Sequence, residues 1–383
     1  KGGTAMLVKN TGIGFTNGGF ERHTDNSADG YQLQDLPGEL SFIDESVSKS
    51  GKSSLRVENV GKKNDGKGRI MQQMTVFPFR SYEVSMWVKT EGLNPAKRFQ
   101  IAVMTKEDRV LMTISPSLDS TEDWKKITLG FNSLEYDELR IWAGVWNGPK
   151  GRFWIDDMRI SEVGFINVLH RPGTPMIVKN RETGVVYTEG KDYAPVKDEK
   201  LSYKFDHREP RLTITPGSAI KNGEEVVVDY YQGLALKHGG GQMGVCMSEP
   251  QVYDIWSDAV RRLDAAISPK RYFLSMDEIR HGGWCKACED RGLSAGELIG
   301  SCITRQVELI REVNPAAEMF VWSDMLDPNH NAKKDYYLLK GDASGSWNHV
   351  PKDLIVAVWR FGIRDESLAH FDRNGFRTVG CGY

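Results

Sequence analysis

The chain has 383 residues and a formal charge of −2 from 50 basic and 52 acidic residues, a length that suggests two to three domains with ample core. Such a balance gives no electrostatic reason to expect nucleic acid or an anionic membrane as partner, and no apolar run approaches the roughly 18 residues of a membrane span. The 39 glycines, ten tryptophans and 10% aromatic content suit turn-rich β modules with flat sugar-contacting surfaces, or ordinary β-sandwich packing.

The start at Lys1, with neither Met nor a signal peptide, reads as mature or trimmed. From residue 10 to about 163 short alternating runs recur between turn signals: "SSLRVENV", "IMQQMTVFPF", "SYEVSMWVKT", "FQIAVMT", "WKKITLGF", "LRIWAGVW" and "RFWIDDMRIS". Spacing of this kind predicts a β-sandwich or jelly roll over residues 1–163. Trp87, Trp142, Trp146 and Trp154 are candidates for core or sugar platform, because alternate strand residues face opposite ways. "NGGFE" (17–21), "SGKSSLRV" (50–57), "YEVSMWVKT" (82–90), "DWKKITLGF" (123–131) and "FWIDDMRI" (153–160) follow one another in an order that resembles carbohydrate-binding jelly-roll modules of the family 4/9 type. The resemblance implies a structural calcium between the opening segment and the last strand, with Glu21 and Asp157 as ligands. Hard oxygen donors suit that ion.

Residues 164–234 alternate again around "ETG" and "KNGE" turns, which predicts a small β-sandwich or β arm without chemistry of its own. From 235 to 383 the pattern changes to α/β. "QMGVCMSEP" is a short apolar run read as a strand, and "QVYDIWSDAVRRLDAAI" has Val252, Ile255, Trp256, Val260 and Leu263 at helical spacing. "KRYFLSMDE", "EMFVWSDML", "LIVAVWRF" and "FRTVGCGY" read as strands. "SAGELIGSCITRQVELIREV" reads as a helix with a capping box, Ser294 followed by Glu297, and Asn314-Pro315 at its end. Nearly continuous apolar strands alternating with helices mean a parallel sheet or barrel. The fold class is therefore multidomain: a β-sandwich jelly roll, a small β domain, and an α/β, partly TIM-barrel-like portion. About 140 residues allow only four or five of the eight strands of a closed barrel.

The predicted strands end in Ser248-Glu249, Asp277-Glu278, Trp322 to Asp324, and Trp359-Arg360. Ligand sites of parallel α/β folds lie at the carboxyl ends of the strands. Asp277 and Glu278 can share one cavity only if the strand has ended and turned, since neighbours on a strand face apart. The alternative is a solvated pair with one acid bound to Arg280.

"YFLSMDEIR", "WCKAC", "ELIGSCITRQVELI", "MFVWSDML" and "SWNHVPKDLIVAVW" resemble the catalytic barrel of family 20 β-N-acetylhexosaminidases. The resemblance implies glycoside hydrolysis of a poly- or oligosaccharide. Glu278 would be the general acid, and Asp277 would orient a 2-acetamido group acting as internal nucleophile, an exception to the two-carboxylate scheme. Trp322, Trp347 and Trp359 would wall the sugar subsite, Asp324 would bond a hydroxyl, and Arg280 and His281 would line the site. The family's His-x-Gly-Gly is replaced by Leu274, Ser275 and Met276. An ordinary retaining mechanism would instead need a second carboxylate about 5 Å away, from Glu249 or Asp324. No cofactor is expected for catalysis, the partner is a carbohydrate, and polysaccharide degradation implies a secreted or periplasmic location. A polysaccharide-binding protein without activity is the reading from another class.

Four of the five cysteines fall between 246 and 302. An odd number leaves at least one free thiol. Cys285-x-x-Cys288 with Cys246 and Cys302 offers a zinc set, but without a second CxxC the expectation is a disulfide or free thiols. Cys302 sits mid-helix among apolar neighbours and reads as core.

Overall fold

The computed structural model describes residues 3–4, 12–33, 36–58, 60, 67–146, 148–202, 205–234 and 244–382. It divides into two compact units, one comprising Lys1–Leu169 with Ile177–Met243, the other His170–Met176 with Gly244–Tyr383. The expected boundary at 163/164 thus falls inside the first unit. Residues 235–243, where the α/β portion was expected to begin, lie outside the described residues.

Ten strands build a sandwich in the first unit: β1 (Gln32–Leu33), β2 (Ser41–Asp44), β3 (Ser54–Glu58), β4 (Arg69–Thr75), β5 (Ser81–Asn94), β6 (Phe99–Thr105), β7 (Val110–Ile114), β8 (Glu122–Asn132), β9 (Glu138–Val145) and β10 (Lys150–Val163). They form two five-stranded sheets, ordered β7-β6-β9-β4-β1 and β8-β5-β10-β3-β2, and every pairing is antiparallel. Alternation decides which residues meet between the sheets: Ile70, Phe99, Ile101, Ile141 from one and Leu55, Val84, Met86, Phe153 from the other are almost wholly buried. Phe99 and Phe153 meet edge to face with ring centres 5.2 Å apart. Burial of each such side chain contributes on the order of 1.5–3 kcal/mol before entropy is counted. The predicted jelly-roll sandwich is what the chain builds.

The arm adds a three-stranded antiparallel sheet, β11 (Ile177–Asn180) flanked by β12 (Val186–Tyr187) and β13 (Val226–Asp229). Its "ETG" turn forms because the Asn180 side chain accepts the N–H groups of Glu182 and Thr183, with Gly184 at φ 72° supplying the left-handed residue. The arm is joined to the sandwich rather than separate from it. Gln232 donates to Ser81 Oγ at 2.6 Å and accepts from Asn132 at 2.8 Å. A side chain at Gly130 of β8 would run within 2.5 Å of the Phe205 ring.

The second unit is an open parallel sheet of four strands, β14 (Arg271–Phe273), β15 (Glu318–Trp322), β16 (Ile355–Val358) and β17 (Arg377–Gly380), in that spatial order. Its helices are α1 (Pro250–Ile267), a single turn α2 (Lys286–Glu289), α3 (Ala295–Val313) and α4 (Arg364–Arg373). No closed barrel forms among the described residues. α3 starts with the expected capping box, Ser294 and Glu297 exchanging side-chain to backbone bonds, and buries Leu298, Ile299, Ile303, Val307 and Ile310. α1 forms as predicted, but its core contacts come from Tyr253, Trp256 and Val260, while Ile255 and Leu263 are exposed. The "VCM" run is not a strand: residues 246–249 turn into α1 instead. None of the described helices is long and apolar enough to cross a membrane.

Candidate functional site

β14 stops at Phe273, and the chain leaves it through left-handed residues: Ser275 (φ 54°), Met276 (φ 61°) and Glu278 (φ 47°). For a non-glycine residue that conformation costs roughly 1–2 kcal/mol and persists only where surroundings over-determine it. β15 and the turn after it do so at three points. Leu274 N–H donates to the Phe320 carbonyl at 2.8 Å, Trp322 N–H to the Ser275 carbonyl at 3.2 Å, and Glu278 N–H to Asp324 Oδ2 at 2.8 Å. The strand has indeed ended and turned before the two acids.

Asp324 is fully buried. Besides Glu278 N–H it accepts Asn331 Nδ2 at 2.8 Å and Trp359 Nε1 at 3.3 Å. Burial pushes its carboxyl above the usual range; these donors pull the other way, and the Asp277 charge adds to the push. The Glu278 carboxylate meets Arg280 Nη2 at 2.5 Å; it is one-third exposed, whereas the guanidinium is only 5% exposed. Asp277 is exposed, so the two neighbouring acids do not share one cavity, and the Glu278–Arg280 pair is the one the alternative reading expected, except that its guanidinium is buried. Trp322 and Trp359 stand edge to face at 6.5 Å, and His330 packs on Trp359 at 4.8 Å. Burial pushes His330 below the usual imidazole range, which favours its neutral form.

Glu278, Arg280, Trp322, Asp324 and Trp359 are therefore linked at the carboxyl end of the parallel sheet, with Asp277 at the edge. Three other expected members go elsewhere. Trp347 packs against His370 of α4 at 4.6 Å. His281 pairs along the Leu338 strand segment and accepts Gly244 N–H at 2.6 Å. Glu249 begins α1 and forms an ion pair with Arg171, because the segment expected to deliver it as a strand end is a turn. Asn331 and His330 were not foreseen; the polar run "DPNHN" directly after an apolar strand is the signal that marks them.

Beside Glu249 three thiols converge. Cys246 Sγ lies 3.3 Å from Cys285 Sγ and 3.6 Å from Cys288 Sγ. Hydrogen bonds with Cys285 and Cys288 hold the Cys246 thiol far below its usual range, and those with Cys246 and Cys285 push Cys288 up. Cys302 is buried in α3 outside this group, core as its apolar neighbours suggested.

In the first unit the acid turned inward is Asp156, not Asp157. A register shift in β10 between Asp156 and Arg159 changes which side chain faces in. Asp156 is fully buried and accepts the N–H groups of Lys49 (2.7 Å) and Ser50 (3.1 Å), while Asp157 faces Arg159 at 3.7 Å. Glu21 accepts the N–H groups of Lys52 and Ser53. The same 49–53 loop thus satisfies Glu21 and Asp156.

Of the four tryptophans, Trp154 is core and donates to Asp44 Oδ2 at 2.9 Å. Trp87 lies under Lys49 and Trp146 under Arg69. Trp142 is half-buried on β9 between Met71 and Ala102. Its indole nitrogen is buried and has no hydrogen-bond partner among the described residues. Gln73, Arg140 and Gln100 stand on the same outer face by strand alternation.

No protein-family model matches the chain, and no curated protein does. Among solved structures, a CBM4 module is 14% identical, with a TM-score of 0.29, over 39% of this chain and 99% of that one. A TmCBM61 module in complex with beta-1,4-galactotriose is 13% identical, with a TM-score of 0.31, over 39% and 99%. A Stig cyclase from Fischerella sp. TAU is 13% identical, with a TM-score of 0.31, over 43% and 98%.

Proposed function

We propose that the chain binds a poly- or oligosaccharide through its β-sandwich unit and hydrolyses a glycosidic bond at the carboxyl end of the parallel sheet in its second unit. The observation that carries the hydrolytic reading is the Glu278–Arg280–Asp324 arrangement. A carboxylate at a partly exposed rim has its side chain fixed by the buried Arg280 and its backbone by the buried Asp324, which also accepts the Trp359 indole N–H. Preorganisation of this kind is what proton transfer to a leaving oxygen requires.

In this reading substrate entry separates the Glu278 carboxylate from Arg280, Glu278 then takes up a proton from solvent and delivers it to the glycosidic oxygen as general acid, and Asp324 positions Glu278 without touching the reacting atoms. Asp277, exposed at the edge, faces the substituent of the bound sugar. Glu249 takes no part. Binding rests on a separate observation: Trp142 offers an indole face with side-chain amides and a guanidinium around it, on a sheet face that is not the one joined to the arm. The structural calcium expected at Glu21 and Asp157 is carried with the same proposal for the sandwich, where Asp156 is the acid that faces inward.

The test is hydrolysis of an aryl-glycoside panel (N-acetylglucosaminide, glucoside and galactoside) by the wild type and Glu278→Gln, with retention on polysaccharide affinity gels measured in parallel. The expected result is a loss of at least a hundredfold in hydrolysis with retention unchanged. A wild type that cleaves nothing but is retained leaves the non-catalytic binding protein standing.

A further inference from the structure

Cys246, Cys285 and Cys288 come from two segments 39 and 42 residues apart, yet their sulfurs all lie within 4.8 Å of one another. Around a tetrahedral zinc with Zn–S bonds of about 2.3 Å, sulfur atoms stand ~3.8 Å apart. The two measured separations, 3.3 and 3.6 Å, are close to that edge. They are well beyond the roughly 2.05 Å of a disulfide.

We propose that these three cysteines form a site for a soft divalent metal ion, zinc in the first place, with the fourth corner of the tetrahedron left to solvent. Each thiol gives up its proton on binding, and three thiolates around a divalent ion leave one net negative charge. The surroundings match that charge. Arg291 stands beside it: its backbone N–H donates to the Cys288 carbonyl and its guanidinium to Ser248 Oγ, both at 3.3 Å.

The position explains what the ion would do. The Cys285–Cys288 turn is the single-turn α2, where Cys288 and Glu289 N–H both return to the Cys285 carbonyl. Too short to persist on its own, it is tied to residues 170–176 by Ala287 N–H to the Gly173 carbonyl at 3.2 Å. A metal at the three sulfurs would staple the segment entering α1 and the segment leaving the Asp277–Glu278 turn. It would hold the second unit together where an open four-stranded sheet provides no barrel closure.

The test uses the full chain purified under reducing conditions and loaded with zinc alone or cobalt(II) alone. The expected result is one zinc per chain surviving gel filtration, and cobalt(II) giving thiolate-to-metal charge-transfer absorption. Cys285→Ser should lower zinc occupancy at least tenfold, while Cys381→Ser retains it. If Cys285→Ser fails to fold, alkylation of the wild type decides: chelation should expose three further reactive thiols. The proposal is overturned if the fully reduced wild type takes up neither metal. It is equally overturned if a Cys246–Cys285 disulfide is found by peptide mass and its reduction restores no metal binding.

Discussion

Asp324 accepts the backbone N–H of Glu278 at 2.8 Å, so a fully buried side chain on the turn after one strand fixes a strained residue at the end of its neighbour. Removing it leaves three donors without their acceptor, Asn331 Nδ2 buried and Glu278 N–H and Trp359 Nε1 part-buried. Bonds to a charged acceptor are worth roughly 1.5–3 kcal/mol each, and a stranded buried donor costs about 1–3 kcal/mol. Asp324→Ala is therefore expected to lose roughly 2–4 kcal/mol in urea unfolding. Under the proposed mechanism it also loses hydrolysis, because Glu278 is no longer held at φ 47°.

Two buried acids are expected to respond to pH with opposite signs. Burial pushes the Asp44 carboxyl up, but the Ser46 hydroxyl, the Trp154 indole, the Ser46 N–H and the Arg56 charge together bring it down to about 2. A lowered carboxyl stabilises the fold above its unfolded pKa, and that contribution disappears as pH falls from about 4 to about 2. Converted at 1.36 kcal/mol per pKa unit it is about 2 kcal/mol. Asp44→Asn should lack this acid-dependent slope when unfolding free energies are compared between pH 5 and pH 2. Asp324 is raised instead, so its contribution is present below the unfolded pKa and lost as pH rises through the folded value. The stability gap between the wild type and Asp324→Asn should narrow as pH rises. A gap that widened would show that the hydrogen bonds outweigh burial.

Much of this was legible from residue pattern alone. Alternation marked the sandwich strands because each has one face in a shared core. The Ser294/Glu297 capping box marked α3 because its two bonds are local. The Asp277–Glu278 and Trp322–Asp324 strand ends were readable because apolar runs stop abruptly there. What escaped depends on geometry that periodicity does not carry. One bulge in β10 exchanged Asp157 for Asp156 as the inward acid. The turn at residues 246–249 took Glu249 away from the sheet rim to Arg171. Cys246 meets the CxxC pair only through the fold, since the chain separates them by about forty residues.

Trp142 and Trp154 separate recognition from packing. Trp142 is half-buried on the outer face of β9 with a buried indole nitrogen that has no hydrogen-bond partner among the described residues, whereas Trp154 is core and bonds Asp44. Trp142→Ala is expected to weaken retention on a polysaccharide affinity gel about tenfold, a loss of ~1.4 kcal/mol. Trp154→Phe should leave retention intact and lose roughly 1–3 kcal/mol, because the Asp44 carboxylate forfeits a buried donor. Equal binding by the wild type and Trp142→Ala would remove this face from the proposal.

Gly300 tests a different kind of constraint. It lies inside α3, where replacing glycine with alanine ordinarily stabilises an exposed helix position by up to about 1 kcal/mol. Here a β-carbon would come within 2.3 Å of His349 Cβ and 2.7 Å of the His349 carbonyl oxygen. His349 ends the 3-10 turn Ser346–His349, whose carbonyl also accepts Thr304 Oγ1 of the same helix at 3.1 Å. The contact is with backbone, which cannot swing aside as a flexible side chain would. Overpacking of this kind costs about 1–3 kcal/mol, enough to reverse the propensity gain. Gly300→Ala is therefore expected to destabilise the chain in urea unfolding, and Gly300→Val to do so more strongly. A stabilised Gly300→Ala would mean that α3 and the 346–349 turn are not in the close contact that orders the loop between β15 and β16.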